Sequence, residues 1–131
     1  MIWVKLFEEY SSIDKICKKW GIENYTINPD GTVDVDGDVN LYGAGLKKLP
    51  LKFRKVTGDF DCSSNQLTTL EGAPKEVGGN FYCNHNPLPK EILNFHDKKY
   101  ILKWQDDYVI WQHGKLNLYR FKEMMKDYDL G

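Results

Sequence analysis

The chain is short of cysteine, histidine, one-sided charge and long apolar runs, and each shortage closes a class of function. Three cysteines, Cys17, Cys62 and Cys83, are an odd number and too few for a disulfide framework. Three histidines, His85, His96 and His113, sit in no recognisable nucleophile or metal motif. No stretch approaches the roughly 18 apolar residues of a membrane span. The opening MIWVKLFEEY places Lys5, Glu8 and Glu9 where a signal peptide would carry its apolar core, so a cytoplasmic protein is expected. The formal charge of −1 argues against a nucleic-acid binder that works through bulk electrostatics.

Enzyme motifs are missing as well. Ser63-Ser64 lacks the strand–turn–helix setting of a hydrolase serine, and the glycines do not form a phosphate-binding loop. Asp34-Val-Asp36-Gly-Asp38 invites comparison with a calcium loop. Such a loop would need glycine at 39 and glutamate at 45, where Val39 and Gly45 stand. Cys62, Cys83 and His85 fall short of the four converging ligands of a zinc site. The expectation is a non-enzyme with no catalytic residue, no metal and no cofactor. At 131 residues, 41% hydrophobic and 28% charged, the composition suits one globular domain, long enough to bury roughly two-thirds of its unfolded surface.

What the chain does have is repetition. Gly37-Asp-Val-Asn-Leu, Gly58-Asp-Phe-Asp-Cys and Gly79-Asn-Phe-Tyr-Cys begin 21 residues apart. Val39, Phe60 and Phe81 align at that step, as do Leu41, Cys62 and Cys83, and Leu46, Leu67 and Leu88; Leu49 matches Leu70 and Val56 matches Val77. Apolar residues two apart are strand spacing, and a fixed period of this length signals stacked units. Stacking would make one apolar ladder of Phe60 over Phe81 and Cys62 over Cys83, closed by Leu67 and Leu70 from the returning segment.

The pattern Phe60-x-Cys62-x-x-Asn65-x-Leu67-x-x-Leu70, with its return Glu71-Gly72-Ala73-Pro74, resembles a leucine-rich repeat of the short bacterial type. The order of the whole chain resembles small leucine-rich-repeat proteins of tailed bacteriophages. The resemblance implies an α+β fold: a leucine-rich-repeat solenoid of about three 21-residue turns with a parallel sheet, spanning 37–92. An N-terminal helix and β-hairpin (1–36) and a helical C-terminal segment (93–131) would cap it within a single domain. It also implies that Asn65 and Asn86 bond the backbone of the bend after each strand. Ala44 stands at that place in the first unit, whose bend must be satisfied otherwise.

The caps can be read from the residues. Ser12 is a candidate N-cap for a helix whose Ile13, Ile16, Cys17 and Trp20 share a face, with Gly21 as its left-handed end; residues 2–7 are open between strand and helix. Tyr25–Ile27 and Thr32–Val35 around Asn28-Pro29-Asp30-Gly31 predict a hairpin. Val33, Val35, Gly37, Val39 and Leu41 keep one parity, so the hairpin strand is expected to run into the first repeat strand, with Gly37 permitting a bend and the hairpin shielding the sheet edge. Pro89 is expected to open a helix. Ile92, Leu93, Ile101, Trp104, Tyr108 and Trp111 then supply apolar surface, Gln112–Lys115 a turn, and Asn117 a cap for a last helix with Leu118, Phe121, Met125 and Tyr128 on one face.

With the apolar parity inward, Asp34, Asp36, Asp38, Asn40, Tyr42, Asp59, Asp61, Ser63, Asn80, Tyr82 and Asn84 point outward. In a leucine-rich repeat that is the concave face. One reading is a docking surface for another protein, with tyrosine anchors and steering carboxylates; the other is a solvated sheet face. The phage resemblance implies a bacterial partner and a factor that binds and inhibits a host defence protein. An alternative is nucleic-acid or nucleotide binding through Lys47, Lys48, Lys52, Arg54 and Lys55 together with exposed tyrosines.

Overall fold

In the computed structural model, which describes the backbone of residues 2–130 and the side chains of residues 8–130, the chain opens as one helix, α1 (Ile2–Lys19). Ser12 therefore lies inside the helix and does not cap it. Serine costs only a few tenths of a kcal/mol in an exposed helix interior, and the buried Ile13 and Cys17 with the half-buried Ile16 and Trp20 hold the face that decides the matter. Gly21 ends the helix at φ +67°. The Ile22 N–H reaches back 2.9 Å to the Cys17 carbonyl, the six-to-one bond of a Schellman closure.

The hairpin forms as expected from β1 (Tyr25–Ile27) and β2 (Val33–Val35), antiparallel with Tyr25 opposite Val35. Gly31, at φ +85°, closes the turn. Beyond β2 the structure departs from a single running strand. β2 pairs in parallel with β4 (Phe53–Val56), and β4 with β6 (Glu76–Val77), giving a sheet of order β1-β2-β4-β6. A second sheet holds β3 (Val39–Asn40), β5 (Phe60–Asp61) and β7 (Phe81–Tyr82). Its register, Val39↔Phe60↔Phe81, is the 21-residue step of the sequence. Each unit thus gives one short strand to each sheet, around a corner at Gly37, Gly58 and Gly79.

The parity argument missed this corner because inward and outward positions keep alternating through it. Gly37 turns the chain at φ +138°, a conformation few residues but glycine adopt. The hairpin consequently shields the edge of the β1-β2-β4-β6 sheet rather than that of the β3-β5-β7 sheet. The corners stack closely: Gly58 N–H donates to the Gly37 carbonyl and Gly79 N–H to the Gly58 carbonyl, each at 2.9 Å.

Between the two sheets lies the apolar ladder. Phe60, Cys62, Leu67 and Leu70 are inaccessible to solvent. Phe60 stacks on Phe81 with centroids 5.8 Å apart and meets Phe53 edge-on at 5.1 Å. Phe81, at the end of the stack, is half-buried.

The C-terminal segment packs on the far end. Pro89 is the N-cap of α2 (Lys90–Asn94), one place before the helix it was expected to open. Asp97 caps α3 (Lys98–Trp104), which packs against β6. β8 (Trp111–Gln112) and β9 (Lys115–Leu116) form a hairpin whose His113 and Gly114 both have positive φ. Asn117 Oδ1 then accepts the Arg120 N–H at 3.0 Å and caps α4 (Leu118–Leu130). Leu93 and Leu118, expected inside, are exposed, and Met124 takes the buried place on α4. Buried Gln105 joins this segment to the stack: its Nε2 donates to the Leu70 carbonyl, and its Oε1 accepts from Trp111 Nε1. The described residues make a small mixed α+β fold with four helices and both parallel and antiparallel pairing.

Candidate functional site

The outward positions of β3, β5 and β7 and the residues that flank them form a small grid, three units wide. Asp38, Asp59 and Asn80 make the row at the corner. Asn40, Asp61 and Tyr82 follow in register, and Tyr42, Ser63 and Asn84 lie where the chain leaves the strands. Parallel pairing spaces each row at roughly 4.8 Å per unit.

Four of the nine side chains in this grid, those of Asp38, Asn40, Asp59 and Asp61, are tied to backbone N–H groups. Asp38 Oδ1 accepts the Asp59 N–H, and Asp59 Oδ1 accepts the Asn80 N–H, both at 2.7 Å. The aspartate at each corner thereby satisfies a donor of the next unit. Asp36 accepts from Thr57 Oγ1, which in turn accepts the Gly37 N–H. Asp34 takes a two-point contact from Arg54, with Nε–Oδ1 at 3.0 Å. That hydrogen bond, ahead of the Asn28 amide and the guanidinium charge, holds the Asp34 carboxyl below the ordinary carboxylate range. Asn40 Oδ1 caps the Tyr42 N–H.

Ser63 corrects the reading of the face: it is buried at 4% exposure. The strand ends at Asp61, whose Oδ1 accepts both the Ser63 N–H and its hydroxyl. The chain then turns inward at Ser64, φ +57°. The same left-handed position recurs one unit later at His85 (φ +58°) and one unit earlier at Gly43 (φ +60°). His85 therefore belongs to a bend and is exposed, while Cys62 and Cys83 face the core. Burial pushes both thiols up from their ordinary value. Burial, with a smaller contribution from Asp14, raises Cys17 to about 11.

The asparagines explain the first unit's missing partner. Asn65 Oδ1 accepts the Ala44 and Leu46 N–H groups, and its Nδ2 donates to the Leu41, Cys62 and Ser63 carbonyls. Asn86 repeats the arrangement on Leu67, Cys62, Cys83 and Asn84. Each asparagine spans its own bend and the one before it, so the first unit needs none of its own.

With these ties made, the free side chains of the face are the exposed Asn80 and Asn84 and the tyrosines, Tyr42 at 62% and Tyr82 at 43% exposure. Lys47, Lys48 and Lys52 lie elsewhere. Together with Ile13, Ile16 and Leu51 they line a groove of about 740 Å³ between α1 and the returning segments of the first two units. The sequence reading missed this groove. Its signal was present in the lysines that flank Leu49 and Leu51, but the packing of α1 against that segment was not. Among the described residues, no group of three or more His, Cys, Asp or Glu side chains is placed to hold a metal ion, and no helix is long and apolar enough to cross a membrane. Compared with known proteins, the chain matches no family model, no curated protein and no solved structure.

Proposed function

We propose that the chain is a non-enzymatic protein-interaction module: a short leucine-rich-repeat solenoid of about three turns, capped at both ends, that docks a bacterial protein on the outer face of β3, β5 and β7. The observation that carries this reading is the pair of exposed tyrosines, Tyr42 and Tyr82, on a face whose other groups are largely held by the fold. A tyrosine offers large amphipathic contact area with few rotors to freeze, and a rigid platform reduces the ordering cost of association. Asp38 and Asp59 each keep a second carboxylate oxygen for a basic side chain of the partner. The likeness to phage-encoded repeat proteins adds a role in the host cytoplasm, inhibition of a defence protein.

The nucleic-acid reading has less support. Arg54 is committed to Asp34, and the groove that holds Lys47, Lys48 and Lys52 is lined by none of the exposed tyrosines.

The test is a pull-down from bacterial lysate, nuclease-treated and read by mass spectrometry, with the native chain beside a Tyr42→Ala/Tyr82→Ala double variant of matched melting temperature. A protein retained by the first and lost by the second supports the reading. Identical retained sets, or retention abolished by nuclease, would overturn it.

A further inference from the structure

The groove between α1 and the returning segments lies apart from the tyrosine face and calls for a ligand of different chemistry. Its floor is apolar: Ile13, Ile16, Leu49 and Leu51. Lys47, Lys48 and Lys52 line it, and all three are exposed. The ion pairs found among the described residues, Arg54 with Asp34 and Lys75 with Asp107, involve none of them. Two carboxylates also line the groove. Glu71 accepts from Thr69 Oγ1 at 3.4 Å, and Glu9 lies against Gly31 at the hairpin turn. The lysines outnumber them.

We propose that this groove is a second docking site, and that its occupant is an acidic amphipathic helix of a partner protein. Charge complementarity selects the acidic side, because three ammonium groups that enter no ion pair among the described residues stand beside an apolar floor and outnumber the two carboxylates. The volume of about 740 Å³ falls within the roughly 300–1,000 Å³ of ligand sites and accommodates the row of apolar side chains that a short helix presents at i, i+3, i+4 and i+7. The groove is partly open to solvent, which suits a ligand with one polar side better than a wholly apolar one.

Selection of a displayed library of helical peptides on the full chain tests this. A variant with Lys47→Glu, Lys48→Glu and Lys52→Glu serves for counter-selection, and a labelled single-stranded oligonucleotide is run in parallel. The enriched peptides should carry Asp or Glu beside Leu, Ile or Phe at helical spacing. They should bind the triple variant at least about tenfold more weakly, a loss of the size that reversed charges across an interface cause, and bind the Tyr42→Ala/Tyr82→Ala variant unchanged. Enriched peptides that are neutral or basic would overturn the proposal. So would equal binding to the triple variant, or tighter lysine-dependent binding of the oligonucleotide. Because the tyrosine variant is scored separately, failure here leaves the docking face to stand or fall by its own test.

Discussion

Asn65 is the residue on which the stacking is most concentrated. It is buried and serves five backbone groups drawn from two consecutive units. A buried backbone group left without a partner costs about 1–3 kcal/mol. Asn65→Ala should therefore lower stability by more than about 3 kcal/mol in urea denaturation, while Gln66→Ala at the exposed neighbouring position should change it little. The left-handed positions predict the opposite sign. Ser64 and Val109 hold φ values of +57° and +51°, which cost a residue with a Cβ about 1–2 kcal/mol; glycine avoids that strain but gives back roughly 0.5–1 kcal/mol in chain entropy. Ser64→Gly and Val109→Gly should each raise the melting temperature. The β-branched Val109 should gain more, because its side chain is the more crowded in that conformation.

At the scale of the elements, the corner glycines set how closely the units approach. A methyl group at Gly58 would sit 2.7 Å from the Gly37 carbonyl oxygen, and one at Gly79 2.9 Å from the Gly58 carbonyl oxygen. Gly58→Ala should cost about 1–3 kcal/mol, as overpacking does, again read by urea denaturation. The hairpin is fastened to α1 by the Tyr25 hydroxyl, which donates to Asp14 at 2.6 Å. That bond, followed by burial and the Asp14 charge, raises the Tyr25 pKa from 10.0 to about 12. The folded state thus holds this proton more tightly than the unfolded chain. The bond's contribution is complete below pH 10 and is lost as pH rises through about 12. The difference in melting temperature between the native chain and Tyr25→Phe should shrink over that window. The repeat step, the hairpin, the Asn117 cap and the inward ladder were all legible in the sequence, because each rests on local chemistry or strict periodicity. The parallel extension of the hairpin sheet through β4 and β6 was not. β4 and β6 are two to four residues long, too short to show alternation, and the corner at Gly37 leaves the parity of buried positions unbroken. Ser12 misled for a related reason, since a capping residue is informative only where the helix actually begins.

For the whole molecule, the candidate face was read as a list of outward positions, of which Ser63 is buried instead, and its roles were not legible at all. Parity alone cannot separate a carboxylate that waits for a partner from one that already satisfies the next unit's N–H, and the corner aspartates are of the second kind. Each of these bonds uses a single carboxylate oxygen, Oδ1, so the structural part of the role asks for an acceptor at that place rather than for a charge. An asparagine keeps the accepting Oδ1 and removes only the charge. Asp38→Asn/Asp59→Asn should accordingly leave the urea midpoint nearly unchanged. If the face docks a partner with basic side chains, the same substitution should slow association and flatten its dependence on salt, with dissociation little altered, because carboxylates of this kind steer an encounter more than they hold it. Stopped-flow association of the purified partner with the two chains at low and high salt separates the outcomes. Rates that coincide at every salt concentration would assign these carboxylates to the fold alone and leave Tyr42 and Tyr82 as the groups that carry recognition.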